Sequence, residues 1–186
     1  MRISGGEFCG RVLRTPKGEA TRPTSGIVRE SLFNILAPKL AEAHFLDLYA
    51  GCGSVGLEAL SRGAAQATLV EKARPALLCL SGNIAALGVT AQAQILPIPV
   101  ERAIEQLRRA GAHFDLIFFD PPFADVDAYL TVLRMVAADV LLASDGQIIA
   151  QHDARTSLPD AIDGLARIRL RVIGDNALSF YRIDHA

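Results

Sequence analysis

Five short apolar runs punctuate the chain: FLDLY (45–49), ATLVE (67–71), AQILPI (93–98), FDLIFF (114–119) and QIIAQ (147–151). A helical pattern fills each gap between them. Strands that are apolar throughout are buried on both faces, so this alternation predicts an α/β fold, a parallel sheet with helices above and below it. The intervening helices are expected at 54–63, closed by Gly63; at 73–87, ending before Gly88; at 100–110, stopped by Gly111; and at 126–137, with 138–142 as a continuation. Upstream, in TRPTSGIVRESLFNIL, Thr24 or Ser25 can cap a helix that begins near Gly26. Ile27, Val28, Ser31, Leu32, Ile35 and Leu36 fall on one face of it, with Arg29 and Glu30 off that face.

The two ends of the chain follow other rules. Residues 166–174, ARIRLRVIG, alternate Arg167, Arg169 and Arg171 with Ile168, Leu170 and Val172. That period of two predicts a strand with one face buried and one solvated. Gly174-Asp175-Asn176 turns the chain, and 177–183 returns, so an antiparallel hairpin completes a doubly wound, mostly parallel seven-stranded sheet. Residues 1–23 are rich in Gly, Arg, Thr and Pro and read as a short β-hairpin around Ile3 and Val12-Leu13, followed by a loop. They form a basic extension on a domain of residues 24–186. Residues 1–39 hold seven Lys/Arg against three Glu, whereas the remainder holds twelve against seventeen acids. A basic head on an acidic body is a plausible footprint for phosphate, although net charge is only −1.

Several classes are disfavoured. The three cysteines, Cys9, Cys52 and Cys79, are widely spaced and form no CxxC, which argues for reduced thiols rather than a disulfide framework or zinc ribbon. The four histidines are scattered, so no metal is expected. The opening MRISGGEFCGR has no apolar core of a signal peptide, and no uncharged stretch reaches membrane-spanning length. A cytoplasmic monomer is the expectation.

The first strand runs into DLYAGCGSVG, Asp47 to Gly56, where Gly51, Gly53 and Gly56 fit GxGxxG ahead of a helix. Glu71 ends the next strand. Glycines allow a tight turn and close backbone approach to a ligand, and a carboxylate after the second strand can accept two ribose hydroxyls. The pattern predicts an adenosine-type cofactor. An NAD pyrophosphate would meet repulsion from Asp47 just before the loop. A cofactor carrying an ammonium group, such as S-adenosylmethionine, would be attracted.

The fourth strand delivers FFDPPF, Phe118 to Phe123. In a doubly wound sheet this strand lies beside the first, so Asp120 and Phe123 are expected across the cofactor crevice from the glycine loop. Transfer of a methyl group to an exocyclic base amine needs acceptors aimed at the amine N–H groups, and the Asp120 side chain and Pro121 carbonyl can supply them. The prolines stiffen the backbone. Phe123 can stack on a base taken out of its helix.

Together, DLYAGCGSVG, Glu71 and DPPF resemble the class I S-adenosylmethionine-dependent methyltransferases that modify amino groups. With ISGGEFCGRVL and RPTSGIVRESLFNIL in the same order, the resemblance extends over nearly the whole chain to the bacterial 16S ribosomal RNA guanine-N2 methyltransferases of the small subunit. It implies a Rossmann-like fold, S-adenosylmethionine as methyl donor, and 16S rRNA in the small ribosomal subunit or its assembly intermediate as partner. It also implies Asp120, Pro121, Pro122 and Phe123 as the catalytic tetrad, Asp47, Tyr49, Ala50, Gly51, Gly53 and Glu71 as cofactor contacts, and Arg22, Pro23, Thr24 and Arg29 as substrate contacts. One departure stands out: Pro97-Ile98-Pro99 occupies the stretch where the family often carries a polar residue for adenine, leaving backbone groups or Glu101 for that role. Asp120, acceptor-only when ionised, suits guanine's Watson–Crick donors better than adenine's mixed edge. Adenine-N6 methylation of DNA or RNA remains the alternative from the residues alone.

Overall fold

The computed structural model describes residues 1–16, 25–121, 126–138 and 141–184. Within these, β1 (His44–Asp47) pairs in parallel with β2 (Gln66–Val70) on one side and β4 (Phe114–Phe119) on the other. β3 (Ala93–Leu96) extends the sheet beyond β2, and β5 (Leu142–Asp153) extends it beyond β4. The C-terminal part then turns antiparallel. β8 (Asn176–Ile183) inserts between β5 and β7 (Leu165–Ile173), and β6 (Ala161–Ile162) pairs with the start of β7. The resulting order is β3-β2-β1-β4-β5-β8-β7-β6.

The sheet thus has eight strands among the described residues, against the seven expected. The addition is the two-residue β6, too short to leave a periodic trace. β5 also begins at Leu142, where a helical continuation was expected, and Asp139 and Val140 lie outside the described residues.

Period-two alternation sends neighbouring side chains to two separate cores. Phe45, Leu116, Phe118, Ile149 and Leu178 join a core with α1 (Gly26–Leu40), α2 (Gly56–Ser61) and α3 (Arg74–Leu87). Leu46, Ile117, Phe119, Ile148 and Tyr181 join a second core with α4 (Val100–Arg109) and α5 (Val126–Ala138). The helix signals are satisfied locally. The Ser25 side chain accepts the Val28 N–H at 3.3 Å as the cap of α1, and Gly88 closes α3 at φ +76°.

Two expectations about faces fail. In α1, Arg29 is buried and Ile27 is 72% exposed, the reverse of the expected order. Arg29 Nε donates to Glu58 Oε2 at 2.8 Å, and a guanidinium so paired can be buried where an unpaired one cannot. In β7, Ile168, Leu170 and Val172 are 42, 49 and 52% exposed, so the expected buried face is largely open. Alternation identifies residues that share a face; it does not say that anything covers that face.

The N-terminal segment closes through an antiparallel bridge between Arg2 and Val12, with Ile3 and Leu13 buried in the first core. It is pinned to α2, where Glu7 N–H donates to the Ser61 carbonyl at 2.7 Å. Gly6, at φ +79°, has no room for a side chain: a Cβ would sit 1.8 Å from the Ser61 carbonyl oxygen.

Candidate functional site

The C-terminal ends of β1, β2 and β4 open into a crevice of about 510 Å³. It runs from Ile98, Val100 and Glu101 beyond β3, past the glycine loop, to Gln151 on β5 and Asn176 on β8.

The loop is built by its own hydrogen bonds. Ala50 N–H donates to the Val70 carbonyl at 2.9 Å and Gly53 N–H to the Ala50 carbonyl at 2.7 Å. Gly51 and Gly53 take φ of +55° and +87°, which favour glycine. At Gly56 the restriction is space: a Cβ would lie 2.2 Å from Leu69 Cδ2, so its absence lets α2 pack against β2. Asn83, on α3, holds the loop from below, donating through Nδ2 to the Cys52 and Arg14 carbonyls, each at 2.9 Å.

Three carboxylates in the crevice have defined seats. Glu71 Oε2 accepts from Gly51 N–H at 2.9 Å and Oε1 from Ala73 N–H at 2.7 Å, so its carboxylate is fixed at the loop's edge. Asp47, 1% exposed, accepts from Gly56 N–H at 3.2 Å and Tyr49 N–H at 3.4 Å. Burial pushes its carboxyl up to about 7 against those two bonds, and the charges of Asp120 and Glu71 push the same way. Asp120 follows β4, accepts from Gln151 Nε2 at 2.8 Å, and is likewise pushed up to about 7 by burial. A crevice in which Asp120 and Glu71 disfavour the charge on Asp47 suits a cationic ligand and repels a pyrophosphate. Sulfonium and ammonium groups fit here; a dinucleotide's phosphates do not.

The structure therefore brings together Asp47, Tyr49, Ala50, Gly51, Glu71, Asp120 and Pro121, all lining the crevice. Gly53 shapes the loop behind it, its Cα facing Leu80 and Leu57. Ile98 and Glu101 line the end where the proline-flanked stretch was noted. Pro122, Phe123, Arg22, Pro23 and Thr24 lie outside the described residues. Arg29 is placed elsewhere, buried beneath the N-terminal segment with Glu58 and donating to the Arg2 carbonyl at 2.6 Å. Cys52 is buried and its thiol is pushed up, first by burial, which makes it a poor nucleophile. Among the described residues no group of three or more His, Cys, Asp or Glu could hold a metal, and no helix is long and apolar enough to cross a membrane.

Sequence reasoning passed over Gln151, Asn176, Asn83 and the crevice position of Ser25. Only Gln151 left a signal, as an amide ending the apolar run IIA in a strand that proves buried.

The family model described as "Conserved hypothetical protein 95" matches residues 1–182. The ribosomal RNA small subunit methyltransferase D of Escherichia coli (strain K12) is 35% identical over 182 residues, covering 98% of this chain and 89% of its own length. A solved hypothetical protein of Thermus thermophilus superimposes with a TM-score of 0.84 at 32% identity, over 98% of this chain and 99% of that one. A more distant methyltransferase fold, SMU.776, was solved with SAH; it has a TM-score of 0.69 at 18% identity, over 83% of this chain and 49% of its own.

Proposed function

Because the chain belongs to the family described as conserved hypothetical protein 95 and to the class I methyltransferases, we propose that it methylates the exocyclic N2 amine of a guanine in the 16S rRNA of the small ribosomal subunit. S-adenosylmethionine is the methyl donor, supplying an electrophilic methyl on a sulfonium. The observation that carries the reading is Asp120: a fixed, half-buried acceptor at the edge of a crevice suited to a cation.

In this reading Glu71 takes the ribose hydroxyls, Asp47 attracts the ammonium end, and Gly51 and Gly53 let the backbone approach. Ile98 and Glu101 border the adenine. Asp120 and the Pro121 carbonyl accept from the N2 amine, drawing its nitrogen toward tetrahedral geometry and stabilising the positive charge that develops on it. Pro122 and Phe123 complete the tetrad, Phe123 by stacking on the base. The proton leaves the methylated amine after attack, so no general base is required beforehand. Arg22, Pro23 and Thr24 are assigned the role of contacting the target base; Pro16 and Ser25, which flank their segment in sequence, both line the crevice. Arg29 serves indirectly, by tying the chain's first residues to α2 through Arg2 and Glu58. An adenine-N6 acceptor would use the same crevice, but its N1 lone pair would face an acceptor where guanine offers a donor. A monomer acting in the cytoplasm on the subunit or its assembly intermediate completes the reading.

The direct test incubates the protein with isotopically labelled S-adenosylmethionine and small subunits from a strain lacking the homologous enzyme, with duplex DNA in parallel. Digestion to nucleosides should place the label in N2-methylguanosine from the subunits. Label in N6-methyladenine would overturn the base assignment, and unlabelled nucleic acid with bound cofactor would overturn the substrate class.

A pH dependence follows from the burial of Asp120. Ionised, it is acceptor-only; protonated, one oxygen becomes a donor that opposes an amine N–H. Turnover at saturating cofactor should therefore rise with pH through about 7, the value to which burial pushes this carboxyl. A profile flat on both sides of that value would separate the Asp120 charge from the rate.

A further inference from the structure

Gln151 is the one polar residue that touches Asp120 among the hydrogen bonds described, and no motif accounts for it. It follows Ile148, Ile149 and Ala150 in β5, and the Phe119–Ala150 pairing brings Asp120 alongside it across the strand pair. On its other side Gln151 pairs with Leu178 of β8, which holds its backbone one residue beyond the end of the β4–β5 pairing. The residue is 6% exposed.

The orientation of the carboxamide carries a cost. An ionised carboxylate has no hydrogen to give, so the amide must turn its NH2 toward Asp120. The remaining oxygen, Oε1, is the buried side-chain polar atom left without a partner among the described residues. A glutamine present only to fill an apolar strand would be better replaced by leucine or methionine, which would leave nothing unpaired. Flipping the amide would set one oxygen against another.

We propose that Gln151 is a positioning residue that fixes the Asp120 carboxylate, with both its oxygens as acceptors, at the substrate end of the crevice. The inference rests on the proposed role of Asp120 in methyl transfer. Gln151 acts through Asp120 and need not touch the substrate. The titratable groups that sense Asp120 from packed elements, among the described residues, are Asp47 at the end of β1 and Tyr129 on α5. Asp47 is an acid that disfavours a second negative charge, and the Tyr129 hydroxyl is pushed further up by burial and stays neutral. Neither supplies a donor to Asp120, so among the described residues the Gln151 amide is the group whose hydrogen bond favours its ionised form.

The test is Gln151→Met, with Gln151→Leu as a second version of the same deletion. The Asp120 side-chain carboxyl is followed by NMR in protein labelled with carbon-13 aspartate and assigned by comparison with Asp120→Asn. Loss of a donor to the charged form should raise its titration midpoint by about one pH unit. The acid limb of kcat should move up by the same amount, while KM for the small subunit and Kd for S-adenosylmethionine stay within about twofold, since neither contact is altered. An unmoved midpoint, or a raised KM with an unmoved acid limb, would overturn the proposal. The titration requires no turnover, so it decides the role of Gln151 even if wild-type protein leaves the RNA unmethylated, a result that would count against the proposed reaction instead.

Discussion

Replacing Asp120 by alanine should lower methyl transfer by about 10²–10³-fold, the effect of removing one fixed acceptor or donor from a developing charge, while the Kd for S-adenosylmethionine stays within about twofold. The two readouts separate because Asp120 lies past β4, at the proposed substrate end, whereas Glu71 and the glycine loop lie across β1 and β2. Removing Asp120 takes away its own attraction for the cofactor's positive charge but also one of the charges that push Asp47 up, and the two effects on cofactor binding oppose each other. Single-turnover rates with saturating cofactor, alongside calorimetric binding, measure both. Wild-type turnover in the alanine variant would place the catalytic edge elsewhere. Asp120→Asn is the finer probe. It keeps an acceptor oxygen but adds an NH2 that guanine's donors would meet, so unchanged guanine activity in that variant would remove the argument from the base's edge.

Arg29→Ala should destabilise the fold markedly. Glu58 is fully buried, and Ser4, Arg29 and Arg62 all donate to it. Burial alone would raise its carboxyl, but the hydrogen bonds from these three hold it below the ordinary value. Removing one partner of a buried pair leaves charge uncompensated, at a cost of about 3 kcal/mol even with the second arginine in place. For a domain of this size that corresponds to a fall in Tm of about 6–12 °C. The double change Arg29→Met with Glu58→Leu removes charge and partner together and should recover much of the loss. Arg62, 18% exposed at its side chain, can turn to water. Thermal melts of the three proteins decide it. An unchanged Tm with a raised KM for the small subunit would make Arg29 a direct substrate contact instead of an anchor.

Much of the architecture was legible because it is periodic. The parallel strands, their helices, the glycine loop and the terminal hairpin each follow from local rules of spacing, and Asp47, Glu71 and Asp120 fall at strand ends where those rules locate a crevice. What escaped depended on partners distant in sequence. Arg29 is buried because Glu58 meets it from α2, and no helical wheel contains that fact. Asn83 ties α3 to the N-terminal segment and to the glycine loop through carbonyls at Arg14 and Cys52. Asn176 read as a turn residue because it begins β8, and only the insertion of β8 beside β5 brings it to the crevice.

That insertion has a consequence for how the molecule is made. β8 is synthesised after β5, β6 and β7, yet it lies inside the sheet, between β5 and β7. While the nascent chain is still growing, β1 to β4 can already pair with one another, and β4 receives its second partner as soon as β5 follows. β5, carrying the apolar Ile148 and Ile149, must wait with one edge open, for a time on the order of seconds at ordinary elongation rates. The glycine-loop side of the sheet can thus mature before the side that β8 completes, and the unpaired edge of β5 is where a stalled or truncated chain would aggregate.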